Sequence, residues 1–142
     1  MFDGVAAGVQ LLFVAPSDLV IWASRISPHV AKMAEGSGGR FESSDIFAAL
    51  ASGRMLVWIV VQGADIRCVL VGEIISYPRL RALRLTGLVG NNPLKWRRLL
   101  DTIEDHARSV LGCSMMESFH QPRHWLFAPA YRTTHCLSEK PL

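Results

Sequence analysis

The sequence lacks any apolar run of the roughly 18 residues that a membrane-crossing helix requires. The nearest approach, residues 5–21, is interrupted by Gln10, Pro16, Ser17 and Asp18, and it has neither the basic start nor the small-residue cleavage site of a secretory signal. A soluble, unexported, cytoplasmic protein is the expectation. Paired cysteines are missing too. Cys68, Cys113 and Cys136 are odd in number and far apart, which argues against a disulfide framework and suits a reducing compartment. Charged residues are sparse at 19% against 50% hydrophobic, so the chain has material for a core and lacks the composition of a disordered one. No internal repeat, low-complexity tract or long polar linker divides it, and residues 1–142 are read as one domain.

What charge there is lies unevenly. The formal net charge is only +3. Between positions 67 and 98, however, Arg67, Arg79, Arg81, Arg84, Lys95, Arg97 and Arg98 face a single acid, Glu73. Such a stretch suits cofactor phosphates, a nucleic-acid backbone, an acidic protein face, or simply a solvated basic face. Few aromatics interleave it and no nucleic-acid-binding motif accompanies it, so nucleic acid is not the expected partner.

Local patterns give an order of elements. Residues 10–14 are short and apolar and fit a strand before the Pro16-Ser17 break. Ser17 caps a short helix through Ile26, and Ser27-Pro28 repeats the cap-then-proline signal for a second one, ended by residues 36–39. Ser44 opens a further helix with Asp45 in its first turn and Gly53 just past its end. Residues 55–61 are rich in β-branched and aromatic types, the turn at Gly63, Ala64 and Asp65 leads into 66–77, and after Tyr77-Pro78 a third strand covers 81–89, which makes a meander. Asn92-Pro93 starts a long helix, because Trp96, Leu99, Leu100, Ile103, Ala107 and Val110 recur every three or four residues until Gly112. A strand at 113–119, a break at Pro122, a helical turn around Trp125 and a last strand at 131–139 complete the chain. The fold class expected is mixed α/β (α+β), with a mostly antiparallel sheet flanked by helices.

This order, with the loop Leu88-Val89-Gly90-Asn91-Asn92-Pro93-Leu94 and the closing Tyr131-Arg132 through Leu137-Ser138-Glu139-Lys140, resembles the GNAT (Gcn5-related N-acetyltransferase) superfamily over most of the chain. It is also similar to small GNAT-like proteins encoded by tailed phages. The resemblance implies transfer of an acetyl group from acetyl-CoA to an amine. In the family the pyrophosphate sits at the amino end of the long helix, where free backbone N–H groups and the helix dipole favour anions. Carried onto this chain, the cofactor loop is Gly90, Asn91, Asn92, Leu94, Lys95 and Arg98. The family places a spaced glycine pair there, whereas this chain has one glycine, and Pro93 removes a donor. Many members put a proton-donating tyrosine five residues before the aromatic matched by Tyr131. Here that position is Leu126, which has no proton to donate.

Acyl transfer to an amine needs a group that takes the ammonium proton. Glu73 and Glu117 lie in predicted strands and are the candidate catalytic bases, with Tyr77 as a substrate-binding residue beside them; a solvated, outward-facing role is the alternative for each glutamate. A second functional class is a GNAT-fold protein that has lost catalysis and serves as a binding or virion-associated phage factor, with phage virion proteins as partners in a host cytoplasm or a virion. His120, His124, His135, Cys113 and Cys136 cluster late in the chain, but no close cysteine pair accompanies them and Pro122 separates the first two histidines, so no metal site is expected. Trp22, Trp58, Trp96 and Trp125 are read mainly as core residues, Trp125 with a groove-lining alternative.

Overall fold

The computed structural model describes residues 8–90, 97–118, 131, 132, 134, 135 and 137–142. Five strands, β1 (Val9–Val14), β2 (Met55–Gln62), β3 (Asp65–Ser76), β4 (Arg81–Gly90) and β5 (Met115–Ser118), form one sheet in sequence order. The first three junctions are antiparallel, and β4 with β5 is parallel. A parallel neighbour needs a crossover, and helix α3 (Arg97–Ser109) lies in it. Helices α1 (Leu19–Glu35) and α2 (Ser43–Ser52) fall between β1 and β2, after a 3-10 turn at Pro16–Asp18. This is the mixed, mostly antiparallel α/β sheet flanked by helices that the sequence leads one to expect.

Strand periodicity divides the core in two. Along β2, Val57, Ile59 and Val61 face α1 and α2, where Ile26, Val30, Ile46, Ala49 and Leu50 meet them. Trp58 and Val60 alternate to the other face and join Leu70, Leu83 and Leu85 under Leu99, Leu100, Ile103 and Ala107 of α3. Because both faces are covered, β2 is an almost unbroken apolar run rather than an alternating one.

Three expectations need correction. The two short helices are one, α1, running through Pro28. The stripe of Leu19, Trp22, Ile26, Val30 and Met33 keeps helical spacing across the proline, and burying it outweighs the missing hydrogen bond at an exposed turn. The cap of α2 is Glu42, not Ser44: the Asp45 carboxylate accepts from the Glu42 backbone N–H at 2.9 Å while the Glu42 side chain accepts from Asp45 N–H, a capping box of two acids at the positive end of the helix. Gly53 ends α2 in the left-handed region, as expected. Finally, the described residues within 131–139 carry no strand. Side chains tie this tail down instead: the Tyr131 hydroxyl donates to Glu104 Oε2 at 2.8 Å, and Arg40 donates to Glu139 at 2.6 Å. The start of the long helix and the turn around Trp125 lie outside the described residues.

Trp58, 1% exposed, donates its indole N–H to His106 Nδ1 at 3.2 Å, which places the imidazole proton on Nε2. Partial burial holds His106 below its ordinary value of 6.5. Unfolded chains therefore take up this proton at a higher pH than folded ones, so the contribution of the pair is complete above about pH 6.5 and is lost as pH falls toward the lowered folded value. His29 is shifted in the same sense. Thermal unfolding followed between about pH 7.5 and 5.5 should show a falling Tm, and His106→Gln, whose amide oxygen still accepts from Trp58, should reduce that slope without abolishing it.

Candidate functional site

The site is built on β4. Where β4 meets β3, Gly72 pairs with Leu85 and Val71 with Gly87, so Thr86 is an extra residue, a bulge in β4. Its hydroxyl turns back to the Val71 carbonyl at 3.4 Å. On the other edge β4 pairs with β5 from Ala82 to Leu85 among the described residues. Bulges bend a strand and end its pairing. Among the described residues, no strand pairs the β5-side edge of residues 86–90. Gly87 admits α1 here, since a Cβ would lie 2.8 Å from Met33 Sδ.

Just above the bulge, register aligns Glu73 of β3, Arg84 of β4 and Glu117 of β5 in one cross-strand row. Directly opposed residues share a face, here the face of α1 and α2. The Arg84 side chain donates through Nε to Glu117 Oε1 at 2.9 Å and through Nη2 to the Tyr77 oxygen at 2.9 Å. The Tyr77 hydroxyl in turn points its proton at the Glu117 carboxylate, 2.8 Å from Oε2 and 3.1 Å from Oε1. Arg84 and Glu117 are 22% and 27% exposed, the least exposed of the ion pairs described. Such pairs hold geometry better than solvated ones.

The charges set protonation. Partial burial pulls Arg84 down, but the hydrogen bond and charge of Glu117, aided by Tyr77, outweigh it and leave the guanidinium above its ordinary value. Accepting the phenol proton, Glu117 raises Tyr77 above its ordinary value of 10, with Arg84 opposing. Tyr77 is thus held as a neutral hydroxyl, and Glu117 has both oxygens engaged. The half-buried Glu73 carboxylate has no hydrogen-bond or ion-pair partner among the described residues. Of the three, Glu73 alone is unengaged among the described residues.

Gly90 closes β4. A Cβ there would lie 2.5 Å from the Arg67 carbonyl oxygen and 2.7 Å from Cys68 Cα, so close approach to β3 requires this glycine. Asn91, Asn92, Leu94 and Lys95 lie outside the described residues, as does Leu126. Arg98 is exposed in the first described turn of α3. The structure therefore brings Tyr77 and Glu117 together directly and Glu73 to them through Arg84. Two features escaped sequence reasoning. Arg84 looked like one more basic residue, though an arginine at the apolar end of a strand with acids on both neighbours is a signal. The Thr86 bulge was also missed, and a glycine inside a strand pattern, Gly87, is its usual mark.

No model of a known protein family matches the sequence, and no curated protein matches it. Solved structures do match. An aminoglycoside acetyltransferase from an uncultured soil metagenomic sample, in complex with sisomicin, superposes with a TM-score of 0.67 at 11% identity, covering 95% of this chain and 97% of that one. A GCN5-related N-acetyltransferase from Ralstonia eutropha gives 0.65 at 13% identity, over 95% and 99%. A predicted acetyltransferase from Clostridium acetobutylicum with acetyl-CoA gives 0.64 at 11% identity, over 94% and 96%. At such identities the likeness is one of fold: this chain has the GNAT-like fold.

The hydroxyl network makes a direct prediction. Tyr77 and Tyr131 are the two tyrosines of the chain, so in a Tyr131→Phe background the phenolate absorbance reports Tyr77 alone. Its midpoint should lie above 10, and Glu117→Gln should bring it down. An unchanged midpoint in that variant would mean the carboxylate does not hold the phenol.

Proposed function

We propose that this protein is an N-acyltransferase that moves an acetyl group from acetyl-CoA to an amine. The observation that carries this reading is the bulge at Thr86, which bends β4 directly beyond Ala82–Leu85, the stretch paired with the parallel strand β5 among the described residues. In this reading the acyl donor lies along residues 86–90, whose β5-side edge no described strand pairs, beside the acid-bearing row. The GNAT-like fold and the presence of acetyl-CoA in one structural neighbour support it.

The residues present suit such a co-substrate. An extended strand edge offers alternating amide donors and acceptors to an amide-containing arm, and the cations near the foot of β4 suit its phosphates. Gly90 and Arg98, with Asn91, Asn92, Leu94 and Lys95, form the proposed loop for those phosphates. When bound, acetyl-CoA supplies an acyl group already activated as a thioester. N–H groups of the β4 edge stabilise negative charge developing on an acyl carbonyl beside them. Glu73 takes the proton of the acceptor ammonium, directly or through one water. Tyr77, fixed by Glu117 and Arg84, gives the acceptor a neutral hydroxyl to bind. Attack by the neutral amine forms the C–N bond as the thioester C–S bond breaks, the departing thiolate takes a proton from solvent, and no covalent intermediate on the protein is required. The acids of the row favour a cationic acceptor, and they do not select between a protein amine and a small one.

Calorimetric titration with acetyl-CoA should give saturable binding in the micromolar range. With any amine that the protein acetylates, Glu73→Gln should lower kcat/KM by about 10²-fold or more, and the residual rate should climb with pH as free amine accumulates, while acetyl-CoA affinity stays unchanged. Absence of acetyl-CoA binding contradicts the transferase reading and leaves the fold to a binding role.

A further inference from the structure

At the opposite end of the sheet from the Glu73, Arg84 and Glu117 row lies a second concentration of charge. It also depends on a bulge. Val60 pairs with Cys68 and Val61 with Ile66, so Arg67 is the extra residue in β3. Its side chain lines a pocket of about 80 Å³ together with His29 and Lys32 of α1, Ile66 beside it, and Val89 and Gly90 of β4. No side chain can fill the floor at Gly90, since a Cβ would strike the Arg67 carbonyl at 2.5 Å.

Two nitrogens of this pocket, His29 Nδ1 and Arg67 Nε, are buried with no hydrogen-bond partner among the described residues. Buried polar atoms are nearly always paired, and an orphaned donor is costly. Here two occur in one small pocket, and a third group, Lys32, adds an ammonium. Compensation by acid is slight. Asp65, 70% exposed, reaches Arg67 Nη2 at 3.5 Å, and no other ion pair of these groups occurs among the described residues. Burial, and then the charge of Lys32, hold the His29 imidazole below its ordinary value, and an oxyanion between the two would relieve the second effect.

We propose that His29, Lys32 and Arg67 form a binding site for a phosphate group at the foot of β4. An arginine, an ammonium and an imidazole N–H converging on a pocket of phosphate-like dimensions are the donor set that a phosphate dianion needs. The pocket lies on the α1 face of the sheet and begins at Gly90, the last residue before the chain crosses toward α3. Its phosphate comes either from the nucleotide of a bound CoA or from free phosphate. The site does not depend on the transferase reading, because inorganic phosphate alone tests it.

Titration of the intact protein with inorganic phosphate, against chloride at equal ionic strength, should give saturable binding and a rise in Tm. In a Lys32→Met, Arg67→Met double variant the affinity should fall at least about tenfold, a loss of roughly 1.4 kcal/mol. Arg108→Met, at an exposed position on α3, should leave it unchanged. Should the double variant fail to fold, Lys32→Met alone, exposed at its site, should still weaken binding measurably. No saturable binding by the intact protein, or equal binding by the variants, overturns the proposal. Competition then names the source: displacement of phosphate by acetyl-CoA assigns the site to the nucleotide, and simultaneous binding of both assigns it to free phosphate.

Discussion

The constraint on which the rest depends is that β4 must serve two partners of opposite direction. Along one edge it pairs antiparallel with β3 for its whole length, from Arg81 to Gly90. Along the other it pairs parallel with β5, from Ala82 to Leu85 among the described residues. A regular strand could continue both ladders. Thr86 inserts one residue into the β3 junction immediately after Leu85, so β4 bends just beyond its described pairing with β5. The cost is small because Gly72 and Gly87 flank the junction and leave room for backbone and for Met33 of α1.

Charge is placed with respect to this edge. Arg84 sits between two carboxylates and engages the one on β5, so the parallel junction is held by an ion pair in addition to its short ladder. The phenol of Tyr77 completes the cluster. Glu117 spends both its oxygens on these two partners and so fixes their positions. Glu73, on the other side of Arg84, has no such partner among the described residues. At the far end of the same strand, the second bulge at Arg67 sets cations where β4 ends. The two ends thus offer an acidic face for a cation and a basic pocket for an anion, separated by the bulge. That arrangement is what the proposed reaction, between an amine and a phosphate-bearing acyl donor, requires.

Much of the architecture was legible in the sequence because it rests on local chemistry. The β-branched run after Gly53, the turn before Ile66 and the proline after Tyr77 define a meander almost to the residue. The apolar spacing of Leu99, Leu100, Ile103 and Ala107 defines α3 and its buried face. Pro28 misled because its local signal for a helix start is real, while the deciding term, a stripe of buried side chains packed on β2 and β3, is tertiary. At the site, Tyr77 and Glu117 were legible as polar residues in strands. Their junction was not, since it depends on register across β4. The bulges were hidden because one inserted residue in a hairpin changes the register of pairing and not the composition of either strand, with Gly87 the one local mark of the bulge at Thr86.

The central claim is that the β4 edge opened at Thr86 holds the acyl donor. Amide hydrogen exchange and chemical shifts of residues 86–90, measured by NMR with and without acetyl-CoA, test it most directly. The account predicts slowed exchange and shifted resonances confined chiefly to these amides and their neighbours, with the amides of β1 unaffected. Binding of acetyl-CoA that leaves residues 86–90 unchanged would contradict it.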